Sequence, residues 1–562
     1  MKRLFTLFSF LLALTIAATS FADRGVSEYL SAIAALERGD FKNADRGFRD
    51  ALVEEPDVPE ILSKAVTPAL IVDRFEDAAI YANRLAAADI PTEMGTAILV
   101  AMAAEAEDFA RAHEILEKNG QALGPILKDL LAAWVHLGRG SVTDALATFK
   151  AMEAQATSDI MGQFHKALML ASVGDFETAD TILTGGEQGN LRMTDGSILA
   201  HIQILSELGE TDSALLLHDR MRGFMDASEW ADMRARILAG TETYAYITTA
   251  KEGVAEVFSS LATIFAEYQD PTRTVALAKI GQRLRSDNRL SLFIAEEFAN
   301  LEQYELALDE FGKIPPDSFE FIEAELSRAD VLVDAGEPEA AVEVLRALER
   351  DNPTNSRFPR SIGDIHRVEG ECDKALAAYA RAEATIQNPR RSDWYIFHAQ
   401  AICHFNNDDW PQAEENFRQA LKLSPNQATV LNYLGYSLVE RREKLSEAQD
   451  MIRRAAELRP DSGAIADSLG WVYYRLGKFE EAVEPMEKAV ELLPTDPIIN
   501  DHLGDVYWMV DRKREAQFQW QRALSFEPKD GEAQRIRAKL DRGLDAVLRE
   551  EAASGAQTSS ND

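Results

Sequence analysis

Residues 465–494 read IADSLGWVYYRLGKFEEAVEPMEKAVELLP, and residues 499–528 read INDHLGDVYWMVDRKREAQFQWQRALSFEP. The two stretches carry one skeleton. Leu469-Gly470, Tyr473, Ala482, Met486, Ala489 and Pro494 of the first answer Leu503-Gly504, Tyr507, Ala516, Trp520, Ala523 and Pro528 of the second. An upstream copy, VLNYLGYSL at 430–438, has Gly435 and then, after one extra turn residue, Ala448 and Pro460. The three glycines are 35 and 34 residues apart. A glycine with no side chain lets a neighbouring helix approach closely. Ala448, Ala482 and Ala516 do the same from a second helix, and the next large residue fills the gap between them. Each proline ends one helix pair and starts another. A pair of this kind cannot bury its apolar face alone and must stack on its neighbours.

The period and skeleton resemble the tetratricopeptide repeat. The resemblance implies an all-α fold, a right-handed superhelical solenoid of antiparallel helix pairs. Moving outward, the alanine landmark recurs upstream at Ala413, Ala375, Ala340 and Ala307. In the N-terminal half it recurs at Ala44, Ala78, Ala112, Ala145, Ala179 and Ala214, spaced 34, 34, 33, 34 and 35 residues apart. Between these two series the rhythm breaks, and the next landmark is Thr274 or Ala276. About thirteen or fourteen repeats are expected in all. The expected divisions are a degenerate array at 23–222, an irregular connector at 223–249, a second array at 250–530, a capping helix at 531–548 and a disordered tail at 549–562. Thr249 and Glu252 have capping-box spacing, so a helix is expected to start near Ala250. The connector is either a degenerate repeat or a hinge or docking loop with Tyr244 and Tyr246 exposed.

Composition limits the partners. The chain has 562 residues, 94 acidic against 59 basic, and a formal net charge of −35. Nucleic acid demands a basic face, so it is not an expected partner. Met1-Lys2-Arg3, the apolar run from Leu4 to Ala18 and the small residues at Ser20 and Ala22 form a secretory signal, with cleavage expected after Ala22. No Cys adjoins that site, so the expected product is periplasmic, is not a lipoprotein and has no integral membrane segment. Cys372 and Cys403 are the two cysteines; export permits a bridge between them, and spacing alone leaves bridged and free both open.

No catalytic motif stands out. GxSxG, HExxH, GxxxxGK and dinucleotide fingerprints are all missing. His398 and His404 are six residues apart and would not align on one helix as ligands. The chain is therefore expected not to be an enzyme and to use no cofactor and no metal. A stack of helix pairs offers a concave wall instead, lined by the first helix of each pair. Three positions per pair face inward: two before the Leu, one after the Gly, and four after the Gly. They select Asn432, Tyr436 and Val439, then Asp467, Trp471 and Tyr474, then Asp501, Asp505 and Trp508. Asn432, Tyr436, Asp467, Trp471, Tyr474, Asp501, Asp505 and Trp508 are the expected partner-binding residues. Short polar groups beside aromatics suit an extended peptide or a partner helix. Tyr474 and Trp508 are equally consistent with packing between helices. Asp467 and Asp501 are harder to place in a core, because an unpaired buried carboxylate is costly.

The stretch DSLGWVYYRLG followed by HLGDVYW and FQW resembles a group of exported bacterial tetratricopeptide proteins. Some of these are outer-membrane lipoprotein adaptors that present substrates to periplasmic carboxyl-terminal processing proteases. The resemblance implies a periplasmic scaffold or adaptor whose partners are proteins, among them a protease and its substrates. The competing expectation is a glycan-handling factor in envelope polysaccharide export, because aromatic ladders can stack sugars.

Overall fold

The computed structural model describes residues 25–153, 159–185, 195–220 and 227–558. The expected signal segment, 1–22, lies outside the described residues, as do 223–226 of the expected connector and 559–562 of the expected tail. Among the described residues the chain is an all-α array of antiparallel helix pairs with no β-strand. The described residues fall into two compact units, one ending at Ala341 and the other beginning at Val342.

A short turn recurs between the two helices of a pair. One residue there takes a left-handed conformation, as at Gly39 (φ 73°), Gly174 (φ 87°) and Gly477 (φ 74°). Non-glycine residues do the same at Asp73 (φ 62°), Glu107 (φ 54°) and Asp511 (φ 61°). Glycine takes this conformation without a Cβ penalty. The turn before each alanine landmark is therefore a backbone requirement that several residue types meet. The alanine landmarks are buried throughout, with one correction: Ala341, not Ala340, is the fully buried residue of its helix.

In the first unit, the helices α1 (Pro59–Ile71), α2 (Glu93–Glu105), α3 (Pro125–Gly138) and α4 (Asp159–Ser172) open successive pairs. A later hairpin, α5 (Ala250–Glu267) and α6 (Pro271–Leu284), packs against them. Gly253 of α5 lies on the ring of Trp134 from α3, with no room for a Cβ. Trp134 Nε1 donates to His165 Nδ1 at 3.1 Å, and His165 Nε2 lies 3.1 Å from Ser260 Oγ on α5. Burial lowers the His165 pKa to about 3, so this histidine is neutral. Ion pairs fix α6: Arg273 to Glu93, Arg283 to Glu105 at 2.9 Å, and Lys279 to Asp73 at 2.7 Å. Lys279 also pairs with Glu310, and both side chains are buried. One apolar core therefore runs from Ala32 to Val331. For this reason the division falls at 341/342 rather than at the expected 223–249 connector. Helix α5 was expected to open the second array; it belongs to the core of the first unit.

The connector is ordered where it is described. A helix at Ala227–Ala239 leads to Gly240 (φ 65°) and an extended strap. Tyr244 and Tyr246 are half-buried rather than exposed. Tyr244 N donates to Glu207 at 2.8 Å, and the Tyr246 hydroxyl donates to the buried Glu256 at 3.1 Å. The strap ends in a reciprocal Thr249–Glu252 capping box, and α5 starts at Ala250.

The second unit stacks five complete pairs and a terminal hairpin. The pairs are α7 (Arg357–Val368) with α8 (Cys372–Ala384), α9 (Trp394–Asn406) with α10 (Trp410–Leu423), and α11 (Ala428–Glu440) with α12 (Leu445–Leu458). They continue as α13 (Gly463–Arg475) with α14 (Phe479–Leu492) and α15 (Pro497–Met509) with α16 (Lys513–Ser525). The expected small-to-large contact recurs in each pair that has a glycine. Gly363 meets Tyr379, Gly435 meets Ile452, Gly470 meets Met486, and Gly504 meets Trp520. The terminal hairpin is α17 (Asp530–Arg542) and α18 (Leu544–Thr558). One capping helix and a disordered tail were expected here. The chain instead breaks at Gly543 (φ 80°), where the Trp508 ring takes up the space a Cβ would need, and then stays helical to Thr558.

A candidate partner-binding wall

The close-approach residues Gly363, Ala401, Gly435, Gly470 and Gly504 set the register of the inner helices. Three residues before them stand Arg360, His398, Asn432, Asp467 and Asp501. One residue after stand Asp364, Ile402, Tyr436, Trp471 and Asp505. The eight residues chosen from the sequence occupy the C-terminal three helices of this ladder, α11, α13 and α15. None of them is exposed.

The terminal hairpin closes that end of the wall. Lys539 of α17 is fully buried, and its Nζ lies 2.7 Å from Asp501 Oδ2 and 2.6 Å from Asp505 Oδ1. Arg535 stands 3.7 and 3.6 Å from the same two carboxylates. Asp505 also accepts from Trp520 Nε1 at 3.0 Å. Burial raises the pKa of Asp505, and Asp501 beside it adds to the rise against the pull of Lys539 and Arg535. Trp508 Nε1 donates to Asp545 of α18 at 3.0 Å. Asp501, Asp505 and Trp508 therefore hold the chain's own hairpin, which corrects the expectation that they line an open groove. The physical reason is the one that made Asp501 awkward as a core residue: a buried carboxylate needs a cation, and α17 supplies it.

Helix α13 is also occupied. Asp467 accepts from His502 Nδ1 at 3.0 Å. Burial opposes the charge on His502, but Asp467, Asp501 and Asp505 together raise its pKa. Trp471 is sandwiched between His502 (3.9 Å) and Tyr474 (4.7 Å), and its Nε1 donates to Glu440 at 2.8 Å. Tyr474 packs edge-on against Phe479 at 5.5 Å. The aromatic ladder expected to face solvent is stacked on itself. Tyr436 is half-buried against the cores on both sides of it, and burial pushes its phenol pKa up.

At the other end of the ladder the arrangement differs. Arg360 Nε, His398 Nδ1 and Asn432 Oδ1 are buried and have no hydrogen-bond partner. They hold the same register position on α7, α9 and α11. His398 is 6% exposed and lies among Trp394 (5.6 Å), Phe417 (5.9 Å) and Tyr433 (5.5 Å). Burial, reinforced by Arg367, lowers its pKa to about 4, so the imidazole is neutral. Asp364 accepts from the hydroxyls of Tyr379 (2.8 Å) and Tyr395 (2.9 Å), and Arg367 Nε donates to Tyr379 at 3.3 Å. Phe405 and Tyr433 are each 44% exposed on α9 and α11. Of this set the sequence reading selected Asn432 alone and treated His398 only as a rejected metal ligand. The missed signal was Gly363, sixteen residues before Tyr379, which repeats the Gly504-to-Trp520 spacing.

Two other features carry less chemistry. A 350 Å³ cavity in the first unit is lined by Trp230, Met233, Arg285, Asp287 and Arg289. Its guanidinium groups are already paired, Arg285 with Glu256 at 2.7 Å and Arg289 with Asp287 at 3.3 Å. Among the described residues no group of three or more His, Cys, Asp or Glu is placed to hold a metal ion, and no helix is long and apolar enough to cross a membrane.

The family model of the tetratricopeptide repeat matches residues 326–389, 398–448 and 440–497. Over 175 residues the chain is 31% identical to the TPR repeat-containing protein PA4667 of Pseudomonas aeruginosa. That match covers 31% of this chain and 28% of the relative's length. Among solved structures, the APC/C hetero-tetramer Cut9-Hcn1 is 13% identical, covers 94% of this chain and 99% of its own, and has a TM-score of 0.38. YrrB, solved as a TPR protein with an unusual peptide-binding site, is 17% identical, covers 35% of this chain and 98% of its own, and has a TM-score of 0.29. The register of small and large residues and the family match agree over residues 326–389 and 398–497: this part of the chain is built of tetratricopeptide repeats.

Proposed function

We propose that this repeat protein is a periplasmic scaffold that holds an extended segment of a partner polypeptide against α7, α9 and α11. Tetratricopeptide repeats build protein–protein interaction scaffolds. One observation carries the finer reading: Arg360 Nε, His398 Nδ1 and Asn432 Oδ1 are buried without partners at one register position on three consecutive inner helices. Each such atom costs about 1–3 kcal/mol while it stays unpaired. Once these side chains turn outward to other rotamers, a bound backbone, which offers both donors and acceptors, recovers that cost. Packed helices lie about 8–10 Å apart. An extended chain rises about 3.3 Å per residue, so about every third residue meets a helix. Phe405 and Tyr433 supply exposed apolar anchors beside the polar row.

The protease-adaptor role belongs to the same reading, with the partner's substrate as the extended segment. The test is crosslinking and mass spectrometry on intact bacterial envelope, comparing the wild type with Phe405→Ser and Tyr433→Ser. The expected result is a stoichiometric partner recovered from the periplasm and reduced at least tenfold by either substitution. Recovery that ignores both substitutions refutes the wall. Recovery from the cytoplasm alone refutes the compartment. Titration calorimetry with unfolded peptides and with envelope oligosaccharides separates this reading from glycan handling, which predicts heat with sugars only.

A further inference from the structure

Cys372 is the first residue of α8, and Cys403 lies in the last turn of α9. The two helices pack together, and both thiols sit in one small apolar cluster with Tyr379, Ile396 and Ala399, 6% and 0% exposed. Two side chains align this junction. Asn406 Nδ2 donates to Cys372 Sγ at 3.9 Å, and Asn407 Nδ2 donates to Asp373 at 2.9 Å. After burial, the neighbouring Cys372 is the main cause of the raised pKa of the Cys403 thiol. No third cysteine exists in the chain to compete.

We propose that Cys372 and Cys403 form an intramolecular disulfide that clips α8 to α9 behind the wall carrying His398. The compartment it needs is the exported one of the proposed function, because cytosolic reductants keep thiols reduced. The step is thiol–disulfide exchange with a disulfide-bearing oxidant. One thiolate attacks the donor disulfide to give a mixed disulfide, and the second thiolate displaces the donor thiol. The two protons and two electrons of the cysteine pair end on the donor as two thiols. The exchange belongs to folding rather than to the finished fold. Burial, with Cys372 beside it, pushes the Cys403 thiol up to about 12, so in the folded reduced chain Cys403 holds almost no thiolate. The same burial shields the closed bridge from reductant. The bridge fixes α9 at its C-terminal end, and so holds His398 and Phe405 in register with α7.

The test uses the full chain. It is unfolded in guanidinium with reductant, refolded in oxidised glutathione, then unfolded again with N-ethylmaleimide and weighed intact. The expected product is monomeric, carries no maleimide and is about 2 Da lighter than the reduced chain. Cys372→Ser, with one thiol left, should take up one maleimide or one glutathione. Hydrogen exchange at the start of α8 should be at least tenfold slower in the oxidised wild type than in the reduced one. Two maleimides on the refolded wild type, or a disulfide-linked dimer as the main product, overturn the proposal. A bridge formed on refolding together with two free thiols in chain taken directly from cells upholds the pairing and overturns the exported location.

Discussion

Replacing Lys539 with alanine should unlatch the terminal hairpin. In the native chain its ammonium is fully buried between Asp501 and Asp505, with four contacts at 2.6–2.8 Å. The alanine leaves two carboxylates facing one another with no buried cation. Breaking such a pair costs about 3–5 kcal/mol. Arg535, 3.6–3.7 Å from both acids and one-third exposed, takes up part of the charge, so the lower end applies. In a repeat stack each element is held mainly by its neighbours, so the loss should stay local to α15–α18. A local loss of about 3 kcal/mol speeds amide exchange through local opening by roughly 100-fold. Hydrogen exchange with mass spectrometry reads this directly: α17 and α18 should exchange faster, while α7–α10 stay unchanged. The defect should shrink as pH falls, because the unpaired carboxylates then take up protons. Exchange in α17 within fivefold of the wild type, or a defect independent of pH, would refute the reasoning.

Two further outcomes follow from the packing and the charges. Gly504→Ala should cost about 1–3 kcal/mol, because the rigid Trp520 indole, already bonded to Asp505, cannot give way. Gly470→Ala should cost less, since its neighbour is the flexible Met486, and urea midpoints will rank the pair. His398 has a folded pKa of about 4 against 6.5 for the free side chain. Its neutral form therefore contributes stability that is complete above pH 6.5 and is withdrawn as pH falls towards 4, on the order of 3 kcal/mol in all. His398→Gln should flatten that part of the stability–pH curve measured by urea unfolding, and an unchanged slope would rule the assignment out.

Much of the wall could be read from residue spacing, and the exceptions share one cause. The positions facing inward on α11, α13 and α15 were identifiable from Gly435, Gly470 and Gly504. Their state of occupation was not. Asp501 and Asp505 looked like free carboxylates because their partner, Lys539, lies 34 to 38 residues downstream in a helix that reads as an ordinary polar cap. One sign was available: Lys539 falls on the apolar stripe with Ala533 and Ile536, where a buried lysine needs an acidic partner. The inner face of α9 was missed for a different reason. Ala401 stands where the other copies have Gly, so the Leu-Gly landmark is lost there although the packing is retained.

Taken alone, the amino-acid order determined the helix pairs, their period and the small-to-large contact inside each pair. Those contacts join residues sixteen or seventeen apart, within reach of a single hairpin, so a local pattern encodes them. Only the tertiary structure decided which faces of the stack remain free. Gly253 meets Trp134 across more than a hundred residues, and α17 returns to α15 through a buried ion pair. Such contacts depend on shape and charge matching between distant segments, and no periodicity along the chain records them.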